Sequence, residues 1–507
     1  MYGYYFIGIR STEIIKVDII LVSGLSISST TAMAAAEEDR FSLRVMTVKG
    51  RNKVLYAEID CDFADVLFSF LTLPLGKIMR LLIQHYGNNA PILGSLKSLY
   101  VGLENLDSCH FWTEAGKLML LDPRNSSEIQ CSRLKLQIYD IDPMQCFVCR
   151  NGTCASMHHR VKCVCLNPNS SSTTMKRFIE IEHRSGDKGV FTVQTASFLL
   201  TDNLMVLPDS PISLLWLFKL YGIEDTNVLE ERTLIVGLKE IMELLKGSLV
   251  SSTPLTDIFL GISTVASTFK TRKEYLMSAI PEPDDLSSTP MKINVKVVVQ
   301  SSTNRILLAQ TREDFVDFLF SLLTIPLGSV QSLLDNKTCF WSINNLYRSI
   351  SNLEIGEHIK SEETVDRLLE PELPLYYLSS SQIFPLGEQS SPELYRLFNS
   401  NRIKYFESTP RDVWHEMNMI DPTGKDCFVK GPTTFTVTDD LVVSIPSSTS
   451  MISILNQMKI PLSDVEVQEL DIGIEEALSL LRASLISTQA LTDGLKPFLK
   501  TQPRDQK

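Results

Sequence analysis

Asp62-Phe-Ala-Asp-Val-Leu-Phe-Ser-Phe-Leu-Thr-Leu-Pro-Leu-Gly76 returns as Asp314-Phe-Val-Asp-Phe-Leu-Phe-Ser-Leu-Leu-Thr-Ile-Pro-Leu-Gly328. Eleven of the fifteen positions are identical, and the other four exchange one apolar residue for another. A match this close within one chain implies an internal duplication, which sets the architecture before any chemistry is considered. The stretch is helical by period. Phe63, Val66, Leu67, Phe70 and Leu71 recur at three- and four-residue spacing, as do Phe315, Phe318, Leu319, Leu322 and Leu323. Phe68 and Phe320 lie off that stripe, which predicts burial on a second side. Asp62 and Asp314 are placed to cap the helix, with Asp65 and Asp317 at the third helical position bonding back to the first turn. Pro74 and Pro326 end the helix near Thr72 and Thr324, and Gly76 and Gly328 permit a tight restart.

Outward from this stretch, both copies begin with two strands. Phe41–Ile59 reads as a hairpin turning at Lys49-Gly-Arg-Asn52, and Ile293 to Ala309 turns at Ser301-Ser-Thr-Asn304. Downstream, Gly94–Leu106 matches Trp341–Leu353. The copies then diverge. The first enters a cysteine-rich stretch, and residues 355–426 of the second are acidic and interrupted by Pro and Ser. They converge at Phe198–Leu207 and Phe435–Ser444, read as hairpins with Asp202-Asn203 and Asp439-Asp440 at their turns. Leu244–Asp257 and Leu480–Asp493 close the copies. The expected fold class is therefore α+β, with two homologous lobes that each begin β-hairpin–helix, a start compatible with a β-grasp. Lobe one covers residues 41–261 and carries the Cys-rich insertion near 146–165. Residues 262–292 have linker composition, lobe two covers 293–494, and 495–507 read as a loose tail. Residues 1–40 read as an ill-fitting leader, with Lys16 and Asp18 inside their apolar run and a second start at Met33.

Composition narrows the function classes. With 48 Lys and Arg against 60 Asp and Glu, the net charge is −12 and the pI about 5.2, which argues against a general grip on nucleic acid or anionic membrane. No apolar run reaches the length of a membrane span. Six of the ten cysteines (Cys131, Cys146, Cys149, Cys154, Cys163, Cys165) are clustered. Without a convincing secretory signal, this favours an intracellular chain and a metal site over a disulfide framework. Cys149-Arg-Asn-Gly-Thr-Cys154 and Cys163-Val-Cys165 can offer four thiolates to a structural zinc ion, with Cys146, His158 or His159 as substitutes.

Two stretches carry a family resemblance besides the opening one: Thr113-Glu-Ala-Gly-Lys-Leu-Met-Leu-Leu-Asp-Pro-Arg-Asn-Ser-Ser127 and Phe428-Val-Lys-Gly-Pro-Thr-Thr-Phe-Thr-Val-Thr-Asp-Asp-Leu-Val-Val443. Together they resemble the plant family described as domain of unknown function 674, over about Phe41 to Gly494. The resemblance implies a plant source and a duplicated architecture, and it supplies no activity, fold description or partner. In similar family members the last cysteine pair looks like Cys-x-Cys-Gly, where this chain has Leu166.

Catalytic motifs are absent: no Gly-x-Ser-x-Gly, no His-Glu-x-x-His, no Gly-x-Gly-x-x-Gly and no complete phosphate loop. Asp421-Pro-Thr-Gly-Lys425 reads as a turn. His85, His110, His183, His358 and His415 have no counterparts at matching repeat positions. The leading expectation is a non-enzymatic binding or scaffold protein with protein partners. The alternatives are an enzyme with an interlobe site and a nucleic-acid-binding zinc module, for which the basic residues around the cysteines show little aromatic interleaving.

Overall fold

Strict alternation decides the opening of each half. In the computed structural model, Phe41, Leu43, Val45 and Thr47 are buried along β1 (Phe41–Val48), which pairs antiparallel with β2 (Val54–Asp60). The structure describes residues 40–50, 53–139, 145–149, 154–158, 160–161, 177–180, 190–261, 292–390, 394–397, 403–405, 414–416 and 418–500. The leader and the 262–292 linker, except Arg40 and Lys292, lie outside these residues.

The first half continues through α1 (Cys61–Thr72), α2 (Leu75–Tyr86), α3 (Leu96–Asn105), α4 (Glu114–Leu121) and α5 (Glu128–Cys131). Then come β3 (Gln145–Val148), β4 (Cys154–Ser156), β5 (Arg177–Glu180), β6 (Ser197–Thr201) and β7 (Val206–Pro208). It closes with α6 (Pro211–Leu220), β8 (Leu229–Val236), α7 (Leu238–Val250) and α8 (Pro254–Leu260). The second half opens with β9 (Ile293–Gln300), β10 (Arg305–Arg312), α9 (Glu313–Ser321), α10 (Leu327–Leu333), α11 (Trp341–Asn352) and α12 (Glu362–Leu369). Short strands β11 (Leu394–Leu397), β12 (Ile403–Tyr405), β13 (Trp414–Glu416) and β14 (Asn418–Met419) follow. β15 (Thr434–Thr438), β16 (Val443–Ser444), α13 (Ser448–Met458), β17 (Val465–Ile472), α14 (Ile474–Ile486) and α15 (Ala490–Leu495) complete it.

The fold is α+β. Two five-stranded sheets have equivalent orders, β7-β6-β2-β1-β8 and β16-β15-β10-β9-β17, and every pairing within them is antiparallel. Helix α1 is buried on every side except Asp62, so Phe68 sits in the core as fully as Phe63 and Phe70. Phe315, Phe318 and Phe320 repeat this in α9. A helix apolar all round needs a covering layer on its far side, and here each half covers the other. The α11 and α12 helices pack on α1, and α11 also packs on β7 and α7; reciprocally, α3 packs on α9 and β16. Buried residues of both halves form one continuous core within the unit Phe41–Lys507.

Two backbone exchanges fix this arrangement. Trp112 N–H donates to Phe428 O at 3.1 Å and Lys430 N–H to His110 O at 2.7 Å. On the opposite side Lys360 N–H donates to Phe191 O at 3.1 Å and Val193 N–H to His358 O at 3.0 Å. The divergent 355–426 region is therefore no surface appendage, since Leu373, Tyr377 and Phe384 lie in the core. The C-terminal tail also starts later than 495. Leu495 and Leu499 are buried, and Lys500 N–H donates to Gln468 Oε1 at 2.9 Å. Among the described residues no helix is long and apolar enough to cross a membrane.

Candidate functional site

The cysteine hairpin is built by β3 and β4, registered Phe147↔Ser156 and Val148↔Ala155. One step further Cys149 N–H donates to Cys154 O at 3.0 Å, so the two cysteines stand opposite each other at the loop end of the hairpin. Cys154 N–H in turn points at Cys149 Sγ, 3.3 Å away. Both cysteines are buried and pack with Ala115 and Val161. The hairpin is docked on the second half: Asn418 pairs in parallel with Cys154, and Ile420 N–H donates to Ala155 O at 2.8 Å. Nearby, the Thr113 hydroxyl accepts Gly116 N–H as the cap of α4 and donates to Pro422 O at 2.6 Å.

Cys149 and Cys154 can supply two neighbouring positions of a tetrahedral thiolate site. Cys163, Cys165 and His159 lie outside the described residues. His158 is half-buried, and its Nδ1 accepts Arg160 N–H at 3.3 Å. Among the described residues no group of three or more His, Cys, Asp or Glu is gathered as a metal site.

The aspartates shared by the two halves are latches. The cap of α1 is Asp60, not Asp62: β2 runs directly into the helix, and Asp60 Oδ1 accepts Phe63 N–H at 2.9 Å. At the corresponding place Arg312 provides no side-chain cap for α9. Asp65, enclosed by the buried helix, turns inward and accepts the N–H groups of Val190, Phe191 and Thr192 at 2.7, 3.0 and 2.8 Å, plus the Thr192 hydroxyl. Asp317 likewise accepts Phe428 and Val429 N–H, each at 2.7 Å, and the Ser379 hydroxyl. Burial raises both carboxyls against the pull of these donors, Asp317 to about 6.

Asp202 and Asp439 are latches of a second kind. Each reaches from its hairpin to the first turn of a closing helix, accepting the N–H of Thr256 in α8 or Thr492 in α15 at 2.9 Å. Burial pushes Asp202 up to about 6 and raises Asp439. In the Asp421–Lys425 segment, the Asp421 carboxylate accepts Thr423, Gly424 and Asp426 N–H, which makes the expected turn. Lys425 Nζ lies 4.0 Å over the Trp112 ring.

His110 and His358 do have matching positions. Their carbonyls accept the two exchanged N–H groups, and their rings lie 5.9 Å from Phe435 and 6.0 Å from Phe198. The sequence signal is His-x-x-Thr/Ser-Glu followed by Asp/Glu-Pro, at His110–Pro123 and His358–Pro371. A change in spacing between the copies hides it.

A cleft of about 540 Å³ opens between α3 of the first half and β16 of the second. Lys97, Ser98, Asn105, Asp107, His110 and Ser444 supply its polar lining, and Val101, Leu106 and Ile445 are among its apolar walls. Asp107 Oδ1 accepts Cys109 N–H at 2.8 Å, and that bond holds its carboxyl below the usual range. The helix approaches the strand closely because residue 102 is glycine: a Cβ there would stand 3.2 Å from Val443 N. Sequence reading missed this cleft, because strand order was needed to bring residues 97–110 beside 442–445.

Two antiparallel sheets of equivalent strand order, each met at an edge strand by a helix of the opposite half, define an interlocked α+β protein. The chain belongs to the family described as Protein of unknown function (DUF674), whose model matches residues 37–475. Searches of curated proteins and of solved structures each return no match.

Proposed function

We propose that this is a non-enzymatic, intracellular binding or scaffold protein of duplicated architecture, in which Cys149, Cys154, Cys163 and Cys165 hold a structural zinc ion. The observation that carries the reading is the use made of the acidic groups common to both halves. Asp65, Asp317, Asp202 and Asp439 all accept buried backbone N–H groups. They tie the chain together from buried positions, a structural use that needs no acid–base role. For zinc, support comes from Cys149 and Cys154 standing opposite each other, with an N–H on one sulfur. Four protein ligands leave no coordination position for substrate, so the ion would fasten the first half's insertion where it docks on β14. Exposed Ile212, Leu215, Trp216 and Leu220 on α6 support a protein partner. The plant source remains what the family resemblance implies.

The test is metal analysis of the full chain beside Cys154→Ser and Cys163→Ser variants. The reading requires close to one zinc per chain and its loss in both variants. Trace zinc, unchanged by either substitution, would overturn it. An enzyme is the second reading, favoured by Lys97, Asp107 and His110 lining a cleft between the halves. Turnover in a metabolite screen that disappears on replacing His110 would establish it over the binding reading.

A further inference from the structure

The cleft between α3 and β16 has a built-in reference, the equivalent contact between α11 and β7. There the Ser349 hydroxyl accepts the outward N–H of Val206 at 2.9 Å, and Asn345 Nδ2 donates to Asn203 O at 2.9 Å. The helix thereby closes the sheet edge. The corresponding residues of α3, read from the matched stretches Gly94–Leu106 and Trp341–Leu353, are Ser98 for Asn345, Val101 for Arg348 and Gly102 for Ser349. All three changes remove polar bulk. Val443 takes the place of Val206, pairing with Val437 as Val206 pairs with Leu200. Val443 N lies 3.2 Å from where a Cβ on residue 102 would stand, and the glycine there has no hydroxyl to offer.

We propose that the α3–β16 cleft is a binding site for a small apolar carboxylic acid. The carboxylate supplies the acceptor that Ser349 provides on the other side, taking the Val443 N–H, and Lys97 compensates its charge. The apolar body lies against Val101, Leu106 and Ile445, and the volume suits a molecule of modest size. Among the described residues no side chain accepts the Val443 N–H, so an acceptor-bearing ligand gains more here than a purely apolar one. The site is separate from the cysteine hairpin, and the proposal holds whether or not zinc is bound.

The experiment is calorimetric titration of the full-length chain with octanoate and phenylacetate, using octanol and octylamine as controls, before and after chelator treatment. Saturable binding of at least one acid is expected, at least tenfold tighter than octanol and octylamine, and unaffected by chelator. Gly102→Ser, which installs the hydroxyl of the closed side, should weaken it at least tenfold. Lys97→Gln should weaken it several-fold while leaving the near-ultraviolet circular dichroism unchanged, which covers the case of a misfolded Gly102→Ser protein. No binding of either acid, equal binding of octanol, or undiminished affinity in the Lys97→Gln variant would overturn the proposal.

Discussion

Pro74 and Pro326 face each other as an antiparallel bridge between the two halves. Leu75 N–H donates to Ile325 O and Leu327 N–H to Leu73 O, both at 3.0 Å. The contact is reciprocal, with each half offering the same three positions to the other, as in a two-fold interface between subunits. The proline that ends each buried helix also exposes the carbonyl before it and the N–H after it for this exchange. The most repetitive stretch of the chain is thus where its two halves are joined.

Glycine at the restart is required by crowding. A Cβ on Gly76 would stand 2.9 Å from Leu323 O and 3.0 Å from Pro123 Cγ, and one on Gly328 would stand 2.9 Å from Pro371 Cδ. Gly76→Ala and Gly328→Ala should each cost about 1–3 kcal/mol, as overpacking does in a tight interior. Urea unfolding reads this directly, and unchanged midpoints would show that the bridge tolerates displacement.

The Asp65 latch spans 125 residues to Val190. Asp65→Ala strands three N–H groups in the interior and should cost several kcal/mol, at about 1–3 kcal/mol for each unsatisfied group. Asp65→Asn should recover part of that loss, since one acceptor oxygen remains while the amide turns donors toward donors. Equal stability of wild type and Asp65→Ala in denaturant melts would remove the latch from the account.

Acidity gives a separate handle. Burial lifts Asp317 and Asp202 from 3.8 to about 6, so the folded chain holds these protons more tightly than the unfolded chain. Their contribution to stability is fully present below about pH 4 and is lost as pH rises through about 6. The stability of wild type relative to Asp317→Asn should therefore fall between pH 4 and pH 6.5 and level off above. A gap that widens in favour of wild type over this range would mean that the N–H donors outweigh burial.

How much of this was legible in the sequence depends on range. Alternation at Phe41–Thr47 and the helical period at Phe63–Leu71 gave the opening elements, because burial there follows local geometry. The off-stripe Phe68 and Phe320 correctly indicated a second buried side. Nothing local indicates that this side is covered by the opposite half: similarity says which segments are alike, not which copy each packs against. Asp65 fits the third position of a helix well enough to suggest capping, and only its partners at residues 190–192 reveal the latch. Of the cysteine site, the facing of Cys149 and Cys154 follows from their spacing across a hairpin. The spacing of the second pair does not fix where Cys163 and Cys165 lie relative to them.

The interlocking of the halves is tested most directly by cutting the chain between them. Fragments 41–261 and 293–500, expressed separately, should each lack cooperative unfolding, because α1 and α9 would lose their outer covering of α11–α12 and α3 respectively. Mixed together, they should recover the wild-type denaturation midpoint to within the loss of the covalent connection. A cooperative transition with native sheet content in either fragment alone would contradict the account.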